Sequence, residues 1–217
     1  MDFLGERLRQ ARLNAGLTMR ELARSAQVSP SLISQIENGK SQPSVATLYT
    51  FSRVLGVSVD ELFESSDEPA PAATSLSLAR VGHSTESNGF VDPAHAWRPS
   101  EYATRISVVH PSHRSRLAMA EGVEWERLAA TPERGVNFMR ITYAPGASSS
   151  VEGDLQAHEA YEYGYVLSGE VEVTVGEEVF VLREGESLGF DSTIPHVLHN
   201  RSDEVFTGIW FVHGHRH

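Results

Sequence analysis

The 217-residue sequence contains no cysteine, and none of its apolar runs approaches the roughly 18 residues of a membrane-spanning helix. The lack of cysteine excludes disulfide bonds, thiolate zinc sites and cysteine nucleophiles, and it suits a reducing cytoplasm. The N-terminus lacks a basic segment followed by an apolar one, so we expect neither a secretory signal peptide nor a membrane partner. With 40% hydrophobic and 22% charged residues, the composition is typical of a soluble globular protein with room for two modest domains.

Positive charge is scarce: the sequence has 18 Lys and Arg but 29 Asp and Glu, which gives a net charge of −11. The deficit is uneven along the chain. Residues 1–66 carry seven charges of each sign, whereas the rest carries 11 basic and 22 acidic residues. A neutral N-terminal segment with clustered arginines can bind phosphate, whereas the acidic remainder should be repelled by it.

Residues 1–64 have the periodicity and the end signals of short helices. Apolar residues recur at helical spacing. Thr18 begins a capping box, in which a Ser or Thr and a Glu three residues later satisfy each other's backbone amides, and Ser58 begins a second one. Ser29, followed by a proline, predicts another helix start, and Gly56 predicts a helix end. These signals predict five short helices joined by tight turns.

The composition changes after the helical segment. Residues 67–105 begin with a linker by composition, which has too little apolar surface to fold alone, and continue as an irregular stretch without clear periodicity. From residue 106 to 217 the pattern favours strands, as where Val171, Val173 and Val175 alternate with polar residues. Turn signals recur about every eight to twelve residues, which predicts an antiparallel all-β barrel or sandwich.

The third predicted helix has an apolar edge and a continuous polar face. Four residues at positions i, i+3, i+4 and i+7 form this face: Ser31, Ser34, Gln35 and Asn38. A helix that packs by its apolar edge presents such a face outward, where short polar side chains and glutamine can read base edges in the major groove. Thr18, Arg20 and Lys40 are candidates for contacts to phosphate. The alternative is that the polar face is simply solvated.

Three segments carry a resemblance to the phage-repressor (Xre) helix-turn-helix family: Leu17–Ala23, Leu32–Gly39 and Leu55–Val57. The resemblance spans residues 1–64. It implies that four side chains face bases, namely Ser29, Ser31, Ser34 and Gln35. It implies that four others face the DNA backbone, namely Thr18, Arg20, Asn38 and Lys40. Pro30 stands where relatives often carry a base-reading polar residue, so direct readout is expected to be thinner here.

A second group of polar residues lies in the predicted β region. Gln156, His158 and Glu162 share parity, so on one strand they point to the same side, and His196 comes from a later strand. Imidazole and carboxylate groups that converge inside a barrel can hold a divalent transition metal. Arg140, on a strand before this group, could pair with the carboxylate of a small-molecule effector or could be a surface arginine.

Residues 136–212 resemble the cupin superfamily. The first motif is Pro145-Gly146, His158, Glu162 and Val166–Gly169, and the second is Gly185–Ser187, Pro195-His196 and Asn200. The resemblance implies a small antiparallel barrel in which His158, Glu162 and His196 match metal-ligand positions. Gln156 replaces the leading histidine, and its amide oxygen is a weaker donor for transition metals. The alternative is that these groups hydrogen-bond an organic effector without metal.

Together these features predict a multidomain α + β protein: a five-helix helix-turn-helix domain (residues 1–66), a linker (67–105) and an antiparallel cupin β-barrel (106–217). We interpret it as a cytoplasmic, repressor-like transcriptional regulator rather than an enzyme. Its barrel would bind a small-molecule effector and form a homodimer that recognises a palindromic operator in double-stranded DNA.

Two other functions remain open at this point. A metal-dependent cupin enzyme of the dioxygenase or isomerase type could carry an auxiliary DNA-binding domain, although the missing leading histidine and the attached helical domain argue against it. A helix-turn-helix that makes only protein contacts is disfavoured by the polar face of the third helix.

Overall fold

The structure is a computed structural model that describes residues 3–57, 59, 62, 109–129, 136–150 and 155–214. The predicted linker, residues 67–105, lies outside these ranges. None of the helices in them has both the length and the apolar character needed to cross a membrane.

In the described N-terminal residues, four helices form a unit that we call the head: α1 (Phe3–Asn14), α2 (Met19–Ser25), α3 (Pro30–Glu37) and α4 (Val45–Leu55). The predicted end signals are present. Thr18 and Glu21 form the capping box of α2, Ser29 caps α3, and Gly56 ends α4 with a left-handed backbone at φ 66°. Val59 and Leu62 are helical and buried, but their neighbours lie outside the described residues, so the fifth helix stays a prediction.

A buried ion pair ties α1 to the end of α3. Arg12 Nε lies 2.6 Å from Glu37 Oε1, and a second guanidinium nitrogen donates to Glu37 Oε2 at 3.0 Å. Arg12 also donates to the Leu17 carbonyl. Around this pair the head has an apolar core made by Leu8, Leu22, Ala23, Ala26, Ile33, Ile36, Phe51 and Leu55. The orientation of α3 is therefore set by both apolar packing and a charged contact.

The described C-terminal residues form nine strands, which we call the β-domain: β1 (Arg116–Ala118), β2 (Val123–Ala129), β3 (Val136–Tyr143), β4 (Ala160–Ser168), β5 (Glu170–Val175), β6 (Glu178–Arg183), β7 (Ser187–Asp191), β8 (His196–His199) and β9 (Phe206–Gly214). One sheet has the order β1-β2-β3-β9-β4-β7 and the other the order β6-β5-β8. All strand pairs are antiparallel, as predicted. Closure into a barrel stays a prediction.

The six-stranded sheet has an inner and an outer face because side chains alternate along each strand. Met139, Trp210 and Gly164 are register partners on the inner face. A Cβ atom at Gly164 would collide with the Trp210 indole, so this position has room only for glycine. The large indole can therefore lie flat across β4 in the interior.

The head packs directly on the β-domain. The amide of Ala46 in α4 donates to the Ser149 carbonyl at 3.1 Å, and the amide of Ala120 donates to the Pro43 carbonyl at 3.0 Å. Val45 and Leu48 belong to the same buried apolar cluster as the interior of the β-domain. The sequence indicates two domains joined by a linker, and that organisation does not predict a core shared between them.

Candidate functional site

The polar face of α3 points away from the head. Ile33 and Ile36 are fully buried on the opposite side of the helix. On the polar face Ser31, Gln35 and Asn38 are exposed and Ser34 is half-buried. We call these four residues the reading face. Its exposure leaves it available to a major groove, which an α-helix can enter.

The other predicted DNA contacts lie on the head and are all exposed: Thr18, Arg20, Ser29 and Lys40. Some of them also have structural roles. The Ser29 hydroxyl accepts from the Leu32 amide, and the Thr18 hydroxyl accepts from the Glu21 amide. The Glu21 carboxylate in turn accepts from the Thr18 backbone amide, which lowers the pKa of Glu21.

Inside the β-domain, His158, Glu162 and His196 converge, and we call them the interior site. Their ligand atoms all lie within 4.8 Å of one another. Glu162 Oε1 is 2.8 Å from His158 Nε2 and 3.3 Å from His196 Nε2. The three residues could hold a metal ion, as the sequence predicts.

Only Glu162 of the interior site lies within β4. Gln156 and His158 precede the strand, where the backbones of Gln156 and His196 exchange two hydrogen bonds of 2.9 and 2.8 Å. The Gln156 amide nitrogen donates to the Ser149 carbonyl at 3.2 Å. Pairing with the start of β8, rather than a common strand, therefore brings Gln156 and His158 to the site.

Glu162 is a buried carboxylate, 4% exposed, and is surrounded by donors. Ser192 donates to its Oε1 at 3.1 Å, and Trp210 Nε1 donates to its Oε2 at 2.6 Å. Burial alone raises the pKa of Glu162, but the hydrogen bonds and charges of His158 and His196 outweigh this effect and hold the pKa far below its usual range. These contacts therefore favour the charged form of Glu162.

The hydrogen bonds of His196 indicate which of its nitrogens carry protons beside Glu162. Its Nδ1 lies 2.9 Å from the Ile194 carbonyl, which can only accept, so Nδ1 carries a proton. A neutral His196 would then point the lone pair of Nε2 at the Glu162 carboxylate. The contact is favourable only if Nε2 is protonated or a cation lies between the two groups. Burial lowers the pKa of His196, but the hydrogen bond and charge of Glu162 reverse this effect, so the pKa is raised.

A small cavity adjoins the interior site, and the head contributes to its wall. Its volume is about 30 Å³, and Tyr49 of α4 lines it together with Trp125, Glu162, His196 and Trp210. The Tyr49 ring is stacked on the imidazole of His158, with centroids 4.1 Å apart and planes 8° from parallel. A side chain of the head therefore contacts the site directly.

Arg140 is not brought to the interior site. It lies on the outer face of the six-stranded sheet, where it pairs in register with Glu126 and Ile209. Its Nε is 3.0 Å from Glu126 Oε2, and Arg114 and Arg116 contact the same buried carboxylate. The alternation of β3 explains this, because the neighbouring Met139 and Ile141 point inward.

Sequence analysis did not identify Tyr49, Ser192 or Trp210 as site residues. In the structure Trp210 donates to Glu162, Ser192 donates to the same carboxylate, and Tyr49 covers His158. No motif marks these residues. Of the three, only Trp210 could have been expected to hydrogen-bond a polar group, because a buried indole normally requires a partner for its N–H group.

Comparisons with known proteins match both parts of the chain. A family model described as helix-turn-helix matches residues 8–62, and one described as a cupin domain matches residues 139–212. The chain is 27% identical to the HTH-type transcriptional regulator PuuR of Escherichia coli over 201 residues, which cover 91% of this chain and 88% of PuuR.

Two further proteins resemble the chain. The HTH-type transcriptional regulator y4dJ of Sinorhizobium fredii is 35% identical over 65 residues, which cover 30% of this chain and 84% of that protein. The crystal structure of an HTH_3 family transcriptional regulator from Vibrio cholerae matches 99% of this chain and 97% of its own, with a TM-score of 0.61 and 19% identity. This last match shows a common fold across the head and the β-domain. The chain belongs to the helix-turn-helix transcriptional regulators of the HTH_3 (Xre) type, with a cupin domain joined to the helix-turn-helix head.

Proposed function

We propose that this regulator binds a two-fold operator in double-stranded DNA as a homodimer, and that a small-molecule effector at the interior site controls the binding. The observation that carries the proposal is the reading face of α3, which is exposed while Ile33 and Ile36 hold the helix on the core. We infer a repressor-like role in the cytoplasm, where such a regulator meets its DNA.

The contacts to DNA follow from the side chains that α3 presents. Ser31 and Gln35 are exposed in the middle of the reading face and are placed to contact base edges. Arg20 and Lys40, which are exposed, would contact phosphates and hold the helix in register on the duplex. Ser29 and Asn38 bind the ends of α3 itself, so their contribution to DNA contacts would be mainly one of positioning.

Homodimerisation is assigned to the outer face of the six-stranded sheet. Exposed or half-exposed aromatic rings cover it: Phe138, Tyr163, Tyr165 and Phe211. We call these four residues the aromatic face. Monomeric proteins seldom leave such a patch uncovered, and a two-fold axis through it would bury it on both chains. Beside it lie three arginines that share the single buried carboxylate of Glu126.

A divalent transition metal fits the interior site as a cofactor. His196 already donates its Nδ1 proton to the Ile194 carbonyl, and a hydrogen bond of this kind orients the other ring nitrogen of a histidine toward a metal. Two imidazoles and one carboxylate are a common protein ligand set, and Gln156 would add an amide oxygen. When bound, the metal would supply a positive charge that offsets Glu162.

The second candidate function is a metal-dependent enzyme, and the His158, Glu162 and His196 trio is the observation that favours it. Two features favour sensing instead. The chain is similar to the transcriptional regulator PuuR over 91% of its length, and the Tyr49 ring of the head stacks on His158, which connects the site to the helix-turn-helix part of the chain.

The experiment that tests the proposed function is selection of DNA sites from a random library by the full-length protein, at a stated salt concentration. Wild type should select a palindromic site. Gln35→Ala should relax one position of each half-site, with a loss of about 1–3 kcal/mol per half-site contact. Gln10→Ala, the same substitution at an exposed position of α1, serves as the matched control. Weak binding by wild type without sequence preference would contradict the proposal.

A further inference from the structure

Tyr49 belongs to the head, yet its side chain lies at the interior site of the β-domain. One side of its ring covers the imidazole of His158, and it meets Trp125 edge-on, with centroids 6.0 Å apart. His158 in turn contacts Glu162 at 2.8 Å. The head and the charged centre of the site are thus separated by a single imidazole.

Two backbone hydrogen bonds dock the head, one from Ala46 in α4 and one to Pro43 just before it, and the first leads to the site. The Ser149 carbonyl accepts from the Ala46 amide of the head and from the side-chain amide of Gln156. Val45, beside Ala46, lines the same cavity as Glu162. Displacement of Gln156 or of the Tyr49 ring would therefore disturb the contacts that dock α4.

The available volume decides what can bind while the head is docked. The cavity measures about 30 Å³. That volume holds a water or a metal ion, whereas sites for organic ligands occupy roughly 300–1,000 Å³. While the Tyr49 ring lies in the cavity wall, the described residues leave too little room for an organic molecule beside His158 and Glu162.

We propose that Tyr49 is the chain's own occupant of the ligand site, so that an organic effector and the docked head exclude each other. Effector binding displaces the Tyr49 ring, breaks the contacts of α4 and frees the head from the β-domain. A metal ion alone fits the existing cavity and leaves the head docked. This inference rests on the proposed role of the interior site in effector binding, and it adds how that site controls the head.

The test uses a disulfide that locks the head, which is unambiguous because the natural chain has no cysteine. Pro43→Cys and Ala120→Cys lie across one of the docking hydrogen bonds and do not line the cavity. The probe is diethyl pyrocarbonate, a small electrophile that acylates accessible imidazoles. Acylation of each histidine in the full chain is followed by mass spectrometry, with chelator present and without DNA.

His158 should be acylated more slowly in the oxidised, locked protein than in the same protein after reduction, by about tenfold, because the stacked Tyr49 ring leaves only 15% of the His158 side chain exposed. Exposed His110 is the internal reference and should react equally in both forms. In the chain without the disulfide, Tyr49→Ala should accelerate acylation of His158, whereas Tyr49→Phe, which keeps the stacked ring, should not. Arg53→Ala, an exposed change on the same helix, is the matched control.

Equal rates at His158 in the locked and reduced protein would overturn the inference, and so would a rate in Tyr49→Ala no faster than that in Arg53→Ala. Because the assay contains no DNA, its result is separate from that of the operator selection. If wild type selects an operator but the acylation rate of His158 is the same with and without the disulfide, the mutual exclusion of effector and docked head is refuted. The DNA-binding function then still stands. Protection by the lock without any selected operator would refute the DNA-binding function alone.

Discussion

The indole of Trp210 donates its Nε1 proton to Glu162 Oε2 at 2.6 Å, a hydrogen bond between a buried ring and a buried charge. Hydrogen bonds to charged groups are stronger than neutral ones, and loss of one leaves the carboxylate short of a donor. We expect Trp210→Phe to lower the free energy of unfolding by about 2 kcal/mol, measured by urea denaturation. Glu162→Gln and the double variant complete a double-mutant cycle. Strictly additive losses would contradict the coupling.

The Arg12–Glu37 pair should be a second determinant of stability. Both side chains are less than a tenth exposed, so Glu37→Gln leaves the Arg12 charge buried without its carboxylate. We expect a loss of about 3 kcal/mol in the free energy of unfolding. Glu6→Gln, an exposed carboxylate on α1, should change it by less than about 0.5 kcal/mol. Equal effects of the two substitutions would show that the ion pair contributes little.

The aromatic face should carry the homodimer. Tyr163 is 55% exposed there, and Val179 on β6 is 57% exposed in the other sheet. A carboxylate at the centre of an apolar interface is costly to desolvate, so Tyr163→Asp should give a monomer in size-exclusion chromatography with light scattering. Val179→Asp should remain dimeric. Dissociation by Val179→Asp instead would place the interface on the three-stranded sheet.

Restoring an imidazole at position 156 should strengthen metal binding at the interior site. Imidazole is a better ligand for zinc than an amide oxygen, so Gln156→His should raise the affinity for Zn²⁺ on the order of tenfold, measured by calorimetry on the full chain. Gln10→His, an exposed position on α1, controls for adventitious binding. If neither wild type nor Gln156→His binds one Zn²⁺ per chain, the metal is excluded as a cofactor.

Docking of the head should also influence DNA binding. The reading face is exposed while α4 is docked, so the docked head can bind DNA with its orientation already set. Release by Tyr49→Ala would replace this fixed geometry with a flexible tether and lower the effective concentration of the second head. We therefore expect Tyr49→Ala to weaken binding to the palindromic operator on the order of tenfold.

The half-site provides the control for this expectation. Affinity for a single half-site should be unchanged in Tyr49→Ala, because one head binds it without regard to the other. Arg53→Ala, on the same helix, should leave the affinity for the palindrome unchanged. An equal loss on the half-site and on the palindrome would mean that the substitution harms the head itself rather than its docking.

Local sequence determined the helices of the head and the face that α3 presents. The capping residues Thr18 and Ser29 act on amides three residues away, so the interactions that begin α2 and α3 are visible in the order of residues. The polar positions of α3 follow from helical spacing in the same way. The motifs around His158, Glu162 and His196 marked the interior site through resemblance to cupins.

Tertiary structure alone decided what surrounds that site. Trp210 and Glu162 are 48 residues apart, and they meet because β9 pairs with β4 in one particular register. The same alternation places Arg140 on the outer face with Glu126, which its position before the first motif does not reveal. Tyr49 reaches His158 only because α4 packs on the β-domain. Caps and periodicity depend on neighbours within a turn or two, whereas sheet register and docking depend on contacts between distant segments, which residue spacing does not encode.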